Sequence, residues 1–427
     1  MAKVVSRLWE GDPSSGLSRR DRRSCRYEAY LPDPLVGRKI TLDADVATDV
    51  AEAEAAIASL GLRAKALVDT EALARLLLRA EAVASSKIEG LEVGPRRLLR
   101  EEAARQMGEP IADVTAAEVL GNIDAMLFAI QGMQATGKIT PSLLKEVHRL
   151  LLRGTDLEKH GGKIRTQQNW IGGSDYNPCS AVFVPPPHER VAALLEDLCA
   201  FCNQDDLPTV AQAAMAHAQF ETIHPFIDGN GRTGRALIHL ILRRRGLSIH
   251  VLPPVSLVLT TWAKDYVAGL TGTRYLGPAT SKAAGDGTNR WIGRFAAACK
   301  RAVADAAGFE ERAEQIQLEW RTRLAVRANS ATDLLLRALP GAPIVTVNSA
   351  SSVIGRSYRA ANEGVANLSE AGILSQVSVG RRNRVFEARE MIDSFADLER
   401  QLASPEGDTL ASSPARVVPR RRRSSSR

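Results

Sequence analysis

The sequence has few aromatic residues, few cysteines and no apolar run that approaches the length of a membrane span. Aromatic residues make up 5% of the 427 residues, while alanine and leucine are abundant, which favours a mainly α-helical protein. The N-terminal residues 1–11 are charged and lack the apolar core of a signal peptide. We therefore expect a cytoplasmic protein that does not contact a membrane.

The five cysteines form an odd, scattered set: Cys25, Cys179, Cys199, Cys202 and Cys299. Cys199 and Cys202 have the spacing of a metal or redox pair, but no second pair or histidine cluster lies near them in the sequence. This pattern predicts buried free thiols in a reducing compartment.

The net positive charge is concentrated at the end of the chain. The net charge is +7, which taken alone suggests a nucleic-acid partner. Six arginines follow residue 409 without an acidic residue among them, so the rest of the chain carries only +1 (+7 less six). The charge of the globular part therefore identifies no class of partner.

One stretch combines several groups that suit a polyphosphate: His224-Pro-Phe-Ile-Asp-Gly-Asn-Gly-Arg232-Thr-Gly-Arg235. Its glycines permit positive φ and close approach, so successive backbone N–H groups can form a concave anion site. The apolar run 236–242 predicts a helix, whose N-terminus favours negative charge. Arg232 and Arg235 lie three residues apart and can direct forked donors at one ligand.

Two further side chains of this stretch add reaction chemistry to the predicted anion site. Asp228 is a hard oxygen ligand that suits a magnesium ion bridging phosphate oxygens. His224 can accept a proton from an attacking hydroxyl at neutral pH. A plain glycine-rich loop between two core helices is the alternative, and it does not explain why so many phosphate-handling groups coincide.

The stretch resembles the signature of the Fic (filamentation-induced-by-cAMP) family, His-Pro-Phe-x-Asp/Glu-Gly-Asn-Gly-Arg-x-x-Arg, at every specified position. The preceding residues 217–223 are also typical of that family. The resemblance implies a nucleotidyltransferase that transfers AMP from ATP to a protein hydroxyl and releases pyrophosphate. It further implies a mainly α fold, with a Fic-type helical core, a β-hairpin flap and a C-terminal winged helix-turn-helix.

The resemblance also assigns roles to single residues. His224 is the catalytic base that deprotonates a Ser, Thr or Tyr hydroxyl of the target, and Asp228 is the ligand of Mg²⁺. Tyr266 corresponds to a family tyrosine that approaches the adenine. The other nucleotide-binding residues are Gly229, Asn230, Gly231, Arg232, Thr233, Gly234 and Arg235.

An upstream segment ends a predicted helix with Ser85-x-x-x-Glu89-Gly90, in which Gly90 suits a helix C-terminus. On spacing alone, Glu89 is an exposed glutamate at a helix end. The segment resembles the Fic inhibitory motif, Ser/Thr-x-x-x-Glu-Gly/Asn. The resemblance implies that Glu89 pairs with Arg235, occupies the fork that otherwise grips the γ-phosphate, and keeps the resting protein autoinhibited.

Residues 162–173 have strand-like composition closed by a turn, and residues 183–187 return as an extended segment. These pieces resemble the β-hairpin flap of Fic enzymes, which lies beside the catalytic histidine. An exposed strand edge there can hold the protein substrate by adding one strand. On sequence alone, an ordinary surface hairpin explains the pattern equally well.

Residues 331–400 are predicted to form three helices, a short strand and a two-stranded hairpin, which resembles a winged helix-turn-helix. Side chains that suit DNA lie on the second helix of the helix-turn-helix and on the hairpin that follows it. They are Arg356, Arg359, Asn362, Arg381, Arg382 and Arg384. Glu363 and Glu370 share that helix, and winged helices also serve as dimerisation modules. DNA contact and homodimer formation are therefore both left open.

Six segments follow from these patterns, in chain order: a flexible arm (1–30), an N-terminal helical region with the inhibitory motif (31–111), the Fic catalytic core (112–308), a linker helix (309–330), the winged helix-turn-helix (331–400) and a disordered Arg/Ser-rich tail (401–427). Within the core, separate helices are predicted over 253–270 and 291–307, with a loop over 271–289.

Two other functions fit the same residues. In the first, Glu89 orients a water molecule that removes AMP from a modified protein, which is the reverse reaction. In the second, the Fic core senses a nucleotide while the winged helix binds operator DNA. The residues also leave the target protein, self-modification and the preferred nucleotide open.

Overall fold

The structure is a computed structural model that describes residues 1–12, 14–66, 70–106, 108, 111, 113–133, 137–248, 251–377 and 384–403. The described residues form α1 (Ala44–Ala66), α2 (Thr70–Ile88), α3 (Pro95–Gln106), α4 (Val114–Gly132), α5 (Pro141–Leu151), α6 (His188–Cys202), α7 (Thr209–Ile223), α8 (Asn230–Arg244), α9 (Val255–Thr261), α10 (Ala263–Gly272), α11 (Lys282–Arg323), α12 (Ala331–Ala338), α13 (Val347–Ile354), α14 (Tyr358–Glu370) and α15 (Arg389–Ala403). The strands are β1 (Lys3–Trp9), β2 (Cys25–Leu31), β3 (Ile344–Thr346), β4 (Ser375–Gln376) and β5 (Val385–Glu387). The predicted mainly α fold is confirmed.

The chain divides into two compact units, each assembled from several segments. The first unit comprises residues 1–54, 128–246 and 264–297. The second comprises residues 55–127, 247–263 and 298–427. The His224–Arg235 stretch lies in the first unit and the Ser85–Gly90 segment in the second.

Two helices, α7 and α8, form the centre of the first unit. α7 is buried along its whole length, and α8 is buried at every residue except Arg243. Gly234 permits their close approach, since a Cβ on it would lie 2.5 Å from Glu221 Oε1. Trp291 donates its indole N–H to the Ala214 carbonyl at 2.7 Å and ties the start of α11 to α7. This packing fixes the two helices that flank the signature loop.

The N-terminal residues form a hairpin, so the predicted flexible arm is wrong. β1 and β2 pair antiparallel over their whole length. The Tyr30 backbone N–H donates to the Val184 carbonyl at 2.9 Å, and the Tyr30 hydroxyl donates to the Tyr275 carbonyl at 2.8 Å. The polar cluster 19–23 that suggested an arm lies in the connection between β1 and β2, where polar residues are common.

The cysteines fall into two groups. Cys25 and Cys179 form a disulfide between β2 and the turn at Pro178–Ser180. Cys199, Cys202 and Cys299 are free and buried, and burial raises the pKa of Cys199 to about 12. The buried free thiols predicted for Cys199 and Cys202 are confirmed. A reducing compartment for the protein stays a prediction.

The predicted flap contains no pair of strands among the residues that the structure describes. Ile171 and Phe183 form a single antiparallel bridge, in which the Ile171 N–H donates to the Phe183 carbonyl at 2.8 Å. Residues 185–187 are three prolines, which have no N–H to donate to a ladder. The expected β-hairpin is therefore wrong, and the segment takes an extended course with one bridge.

The helix boundaries near the end of the core also differ from the prediction. α11 is one helix from Lys282 to Arg323, so the predicted break between the core and a linker helix is wrong. The loop predicted over 271–289 is wrong from Lys282 onward, where Gly287 packs with its Cβ position 2.0 Å from the Gly272 carbonyl oxygen. Close packing therefore outweighs the low helix propensity of glycine there.

In the second unit, the helix with the predicted inhibitory motif is fixed by buried polar groups. Glu81 of α2 is fully buried and accepts hydrogen bonds from the Ser256 N–H at 2.7 Å and the Ser256 hydroxyl at 2.5 Å. Asn122 of α4 donates to the Ala82 carbonyl at 2.8 Å and to the Ser86 hydroxyl at 3.1 Å. These bonds hold α2 against α4 and α9.

The C-terminal elements follow the predicted order of helix, strand, helix, helix and two strands, with sheet order β3-β5-β4. The Thr346 side chain, not that of Asn348, caps α13, through a capping box with Ser349. Ser357 caps α14 as predicted. The turn with Arg381 and Arg382 lies outside the described residues, and the winged-helix assignment stays a prediction.

The end of the chain carries a helix that the sequence did not predict. α15 extends to Ala403, three residues past the point from which a disordered tail was predicted. Its residue Ile392 packs with Leu99 and Ala103 of α3. The rest of the predicted tail, residues 404–427, lies outside the described residues.

By length and composition, α4 is the one helix among the described residues that is apolar enough to cross a membrane. Half of its most apolar window is buried inside the protein. The expectation that no apolar run approaches this length therefore has one exception.

Candidate active site

His224 lies directly after α7 in a left-handed backbone conformation, with φ 49° and ψ 62°. Among the described residues, only Asn329 shares a positive φ without being glycine. The His224 N–H donates to the Phe220 carbonyl at 2.9 Å and closes the last turn of α7. A non-glycine residue in this region costs on the order of 1–3 kcal/mol, and such residues cluster at functional sites.

The signature loop then turns into α8 through a second left-handed residue, Gly229, with φ 69°. The Asn230 amide spans the loop, because its oxygen accepts from the Phe226 N–H at 2.8 Å and its nitrogen donates to the Phe226 carbonyl at 2.9 Å. The first amides of α8 have no acceptor within the helix. The predicted helix N-terminus after the glycine-rich turn is confirmed.

Two buried arginines lie in the first two turns of α8. Arg232 is 2% exposed and its Nη2 lies 3.2 Å from Asp228 Oδ2. Arg235 is 1% exposed and its Nη1 lies 3.5 Å from the Tyr266 hydroxyl. Two guanidinium groups at the positive end of a helix dipole make this end of α8 suited to an anion.

Asp228 is the residue that can hold a metal ion at this loop. Its side chain is half-exposed and forms an ion pair with the Arg232 guanidinium. The described residues contain no cluster of three His, Cys, Asp or Glu side chains that suits a metal. One carboxylate beside a phosphate site nevertheless fits Mg²⁺, which is commonly held by one or two carboxylates, substrate phosphates and water.

Tyr266 of α10 lies in the core beside α7. Its ring stacks on His217 with centroids 5.8 Å apart and is tilted against Trp291 at 6.1 Å. The Tyr266 hydroxyl lies 2.8 Å from His217 Nε2. Burial lowers the pKa of His217 to about 3, so this histidine is neutral and packs, as predicted. The hydroxyl of Tyr266 faces Arg235, and its contact with adenine stays a prediction.

Thr233 and Gly234 sit on the buried side of α8. A Cβ on Gly234 would lie 2.9 Å from Phe220 Cδ1 as well as meeting Glu221. The glycine at this position is therefore explained by helix packing. Contact of either residue with a nucleotide stays a prediction.

The structure adds His148, which the sequence did not place in the site. Its ring stacks on Phe226 with centroids 3.8 Å apart and an interplanar angle of 7°. Its Nδ1 accepts from the Gly162 N–H at 3.0 Å, and its Nε2 lies 3.0 Å from the Asp228 carbonyl oxygen. Since Nδ1 accepts, Nε2 carries the proton and donates to Asp228.

Arg165 is a second residue that the sequence did not place. Its Nε donates to the His224 carbonyl at 2.9 Å, and its Nη2 donates to the carbonyls of Pro186 at 2.5 Å and Ile223 at 3.3 Å. Its Nη1 donates to the Gln167 carbonyl at 3.1 Å. Every residue type offers the same backbone carbonyl as an acceptor. A pattern of residue types in the sequence therefore does not reveal such contacts.

Asn169 completes this set. Its Nδ2 donates to the His224 carbonyl at 3.2 Å and to the Phe226 carbonyl at 3.1 Å. Arg165 and Asn169 thus reach the same carbonyl of His224 from the segment that was predicted to be a flap strand.

The predicted inhibitory motif ends α2 as expected. Ser85 is fully buried, whereas Glu89 is exposed just beyond the helix. Gly90 has φ 81°, and the Leu91 N–H donates to the Ser86 carbonyl at 3.1 Å, which closes the helix end. The pairing of Glu89 with Arg235 stays a prediction.

A histidine beside a helix N-terminus, with two buried arginines behind it, is an arrangement that suits an anion. Residues 138–242 match the Fic/DOC family model, and residues 47–131 match the model of the Fic/DOC family N-terminal region. The likeness to the Fic/DOC family thus extends over these two regions of the chain.

Two relatives named protein adenylyltransferases match part of the chain. Protein adenylyltransferase fic-1 of Caenorhabditis elegans is 32% identical over 188 residues, which is 42% of this chain and 34% of that protein. Protein adenylyltransferase Fic of Drosophila erecta is 32% identical over 139 residues, 32% of this chain and 26% of that protein. The chain thus matches about a third or less of the length of these relatives.

A solved structure resembles the chain over most of its length. The crystal structure of a Fic family protein from Desulfovibrio desulfuricans G20 has a TM-score of 0.51 and 23% sequence identity. The match covers 82% of this chain and 97% of that chain. This likeness supports a Fic-type fold.

Proposed function

We propose that this protein is a protein adenylyltransferase that transfers AMP from ATP to a Ser, Thr or Tyr hydroxyl of a target protein. The observation that carries the proposal is a histidine and an anion-binding helix N-terminus within one loop, from His224 to Arg235. Relatives about 32% identical in this region bear the name protein adenylyltransferase, which supports the same reaction.

In the proposed reaction, His224 takes the proton of the target hydroxyl. The hydroxyl oxygen then attacks the α-phosphorus of ATP in line, the bond from that phosphorus to the bridging oxygen breaks, and pyrophosphate leaves. The first amides of α8 and the Arg232 guanidinium stabilise the negative charge on the phosphoryl oxygens. Arg235 binds the γ-phosphate and fixes the direction of the leaving group.

Asp228 is the residue that would hold Mg²⁺, which supplies charge neutralisation between phosphate oxygens when it is bound. The Arg232 side chain orients the Asp228 carboxylate by the contact at 3.2 Å. This pair also keeps the carboxylate next to the first turn of α8.

We further propose that Glu89 inhibits the reaction by pairing with Arg235. A carboxylate bound to both prongs of a guanidinium removes the donors that the γ-phosphate needs. Glu89 is the last residue before the helix stop at Gly90, and its side chain is exposed. The resting protein is then intact and largely inactive.

The test is transfer of label from α-³²P-ATP by the Glu89→Gly variant, added to a cell lysate and also incubated alone. We expect label on protein in at least one of the two reactions, because Arg235 is then available to the γ-phosphate. The double variant Glu89→Gly/His224→Ala should lose the label, since no base remains.

The matched control is Glu89→Gly/His188→Ala, which removes an exposed histidine at the start of α6. It should label as strongly as Glu89→Gly. Absence of label with Glu89→Gly in both reactions, or label that survives His224→Ala, would contradict the proposed transfer.

A further inference from the structure

The backbone carbonyls of the signature loop are held by groups from outside the loop. Hydrogen bonds from these groups reach the carbonyl oxygens of Ile223, His224, Pro225, Phe226 and Asp228. The donors outside the loop come from residues 165–169 and from His148 of α5. Residues 165–169 therefore hold the carbonyls from Ile223 to Phe226, and His148 holds that of Asp228.

Arg165 provides most of these bonds. Its backbone N–H donates to the Pro225 carbonyl at 2.9 Å, in addition to the bonds of its guanidinium to Ile223 and His224. The residue is 3% exposed. Burial lowers its pKa to about 10, which still leaves the guanidinium charged at neutral pH, so its hydrogen bonds are of the stronger, charge-assisted kind.

The orientation of these carbonyls fixes the backbone on both sides of His224. The His224 N–H donates to the Phe220 carbonyl, and the carbonyls of Ile223 and His224 accept from Arg165, so the peptide units before and after His224 are both held. The left-handed conformation of His224 is unfavourable for a residue with a Cβ. It persists because its surroundings hold the peptide in that orientation.

We propose that Arg165 is a positioning residue of the transfer reaction. Its guanidinium holds the carbonyls of Ile223 and His224, fixes His224 in the left-handed conformation, and so directs the imidazole toward the phosphate site. Asn169 supports the same His224 carbonyl. The four hydrogen bonds of the Arg165 side chain end on backbone carbonyls, so it acts through His224. The proposal rests on the proposed function.

The kinetic test compares Arg165→Lys with Arg244→Lys, both in the Glu89→Gly background. Arg244 is the matched control: it is 9% exposed, its Nη2 donates to the Asn203 carbonyl at 2.8 Å, and it lies at the far end of α8. Lysine keeps the charge in both cases and removes the planar fork.

We expect Arg165→Lys to lower kcat at least about tenfold while KM for ATP changes by less than about threefold, because a misplaced base slows the chemical step. Arg244→Lys should lower the melting temperature about as much as Arg165→Lys does. Its kcat should nevertheless stay within about twofold of the parent value. A kcat for Arg165→Lys no lower than that of Arg244→Lys would overturn the proposal.

A second measurement does not depend on activity. Glycine tolerates the left-handed region and alanine does not, so His224→Gly should melt about 2–4 °C above His224→Ala in the otherwise unchanged protein. With Arg165→Lys, residue 224 is free to leave that region, and the difference should fall by at least half.

An equal difference in both backgrounds would show that Arg165 does not hold the conformation, and would overturn the proposal. This cycle decides the positioning role even if Glu89→Gly transfers no label. Failure of the proposed function and failure of the positioning role are therefore distinguishable.

Discussion

His148 links two parts of the site through a single neutral ring. Its Nδ1 accepts from Gly162, at the start of the segment that carries Arg165, and its Nε2 donates to the Asp228 carbonyl. The neutral form is required, because a second ring proton would face the Gly162 N–H. Burial lowers the pKa of His148 to about 4, which keeps the ring neutral at physiological pH.

This residue makes stability depend on pH in a defined window. The unfolded chain protonates His148 below pH about 6.5, whereas the folded protein resists protonation down to about 4. The stabilisation is therefore fully present above pH 6.5 and is lost as the pH falls toward 4, at about 1.4 kcal/mol per pH unit. We predict that His148→Phe reduces the slope of unfolding free energy against pH by about 1 kcal/mol per unit between pH 6 and 5.

Urea denaturation at these pH values measures that slope. His217, whose pKa burial lowers to about 3, contributes in the same direction in both proteins and cancels in the comparison. The exposed control His188→Ala should keep the parental slope. If His148→Phe keeps the parental slope, the folded protein does not resist protonation of the His148 ring, and the prediction is wrong.

At the scale of elements, the disulfide joins the N-terminal hairpin to the segment around residues 171–183. Cys25 is the first residue of β2, where it pairs with Trp9, and Cys179 lies in the turn Pro178–Ser180. The two residues are 154 positions apart, so the bond closes a long loop in the unfolded chain.

Removing this bond should destabilise the protein. The double variant Cys25→Ser/Cys179→Ser should lose on the order of 2–5 kcal/mol of unfolding free energy. A reducing agent should lower the stability of the parent to that of the variant and leave the variant unchanged. Titration of five thiols, instead of three, in the unfolded parent without reductant would contradict the bond.

Sequence reasoning succeeded for elements whose signals are local. The boundaries of α7 and the start of α8 follow from the apolar runs on either side of the glycine-rich turn, and the stop of α2 follows from Gly90. It failed where distant packing decides. The Gly-, Ser- and Thr-rich residues 271–289 suggested a loop, but from Lys282 onward they belong to a continuous helix, in which Gly287 packs against the carbonyl of Gly272.

The site shows the same division. The signature predicted His224, Asp228 and the two arginines, because those side chains are recognised by type and spacing. Arg165 and Asn169 bind backbone carbonyls far along the chain, and such bonds leave no trace in the sequence of the acceptor. Gly234, which the signature assigned to the nucleotide, has a packing reason that only the facing helix reveals.

At the scale of the whole molecule, the chain places the signature in one compact unit and the inhibitory segment in the other. The proposed inhibition therefore requires both units, and a fragment with only residues 128–246 lacks Glu89. The two family matches, over residues 138–242 and 47–131, correspond to this division of the chain.

The most direct test of the proposed transfer is a comparison of two labels in the Glu89→Gly protein. Parallel incubations with α-³²P-ATP and γ-³²P-ATP, followed by precipitation of protein, distinguish transfer of AMP from transfer of the terminal phosphate. We predict label on protein from α-³²P-ATP only, since pyrophosphate carries the γ-phosphate away. Label from γ-³²P-ATP alone would contradict attack at the α-phosphorus and with it the proposed function.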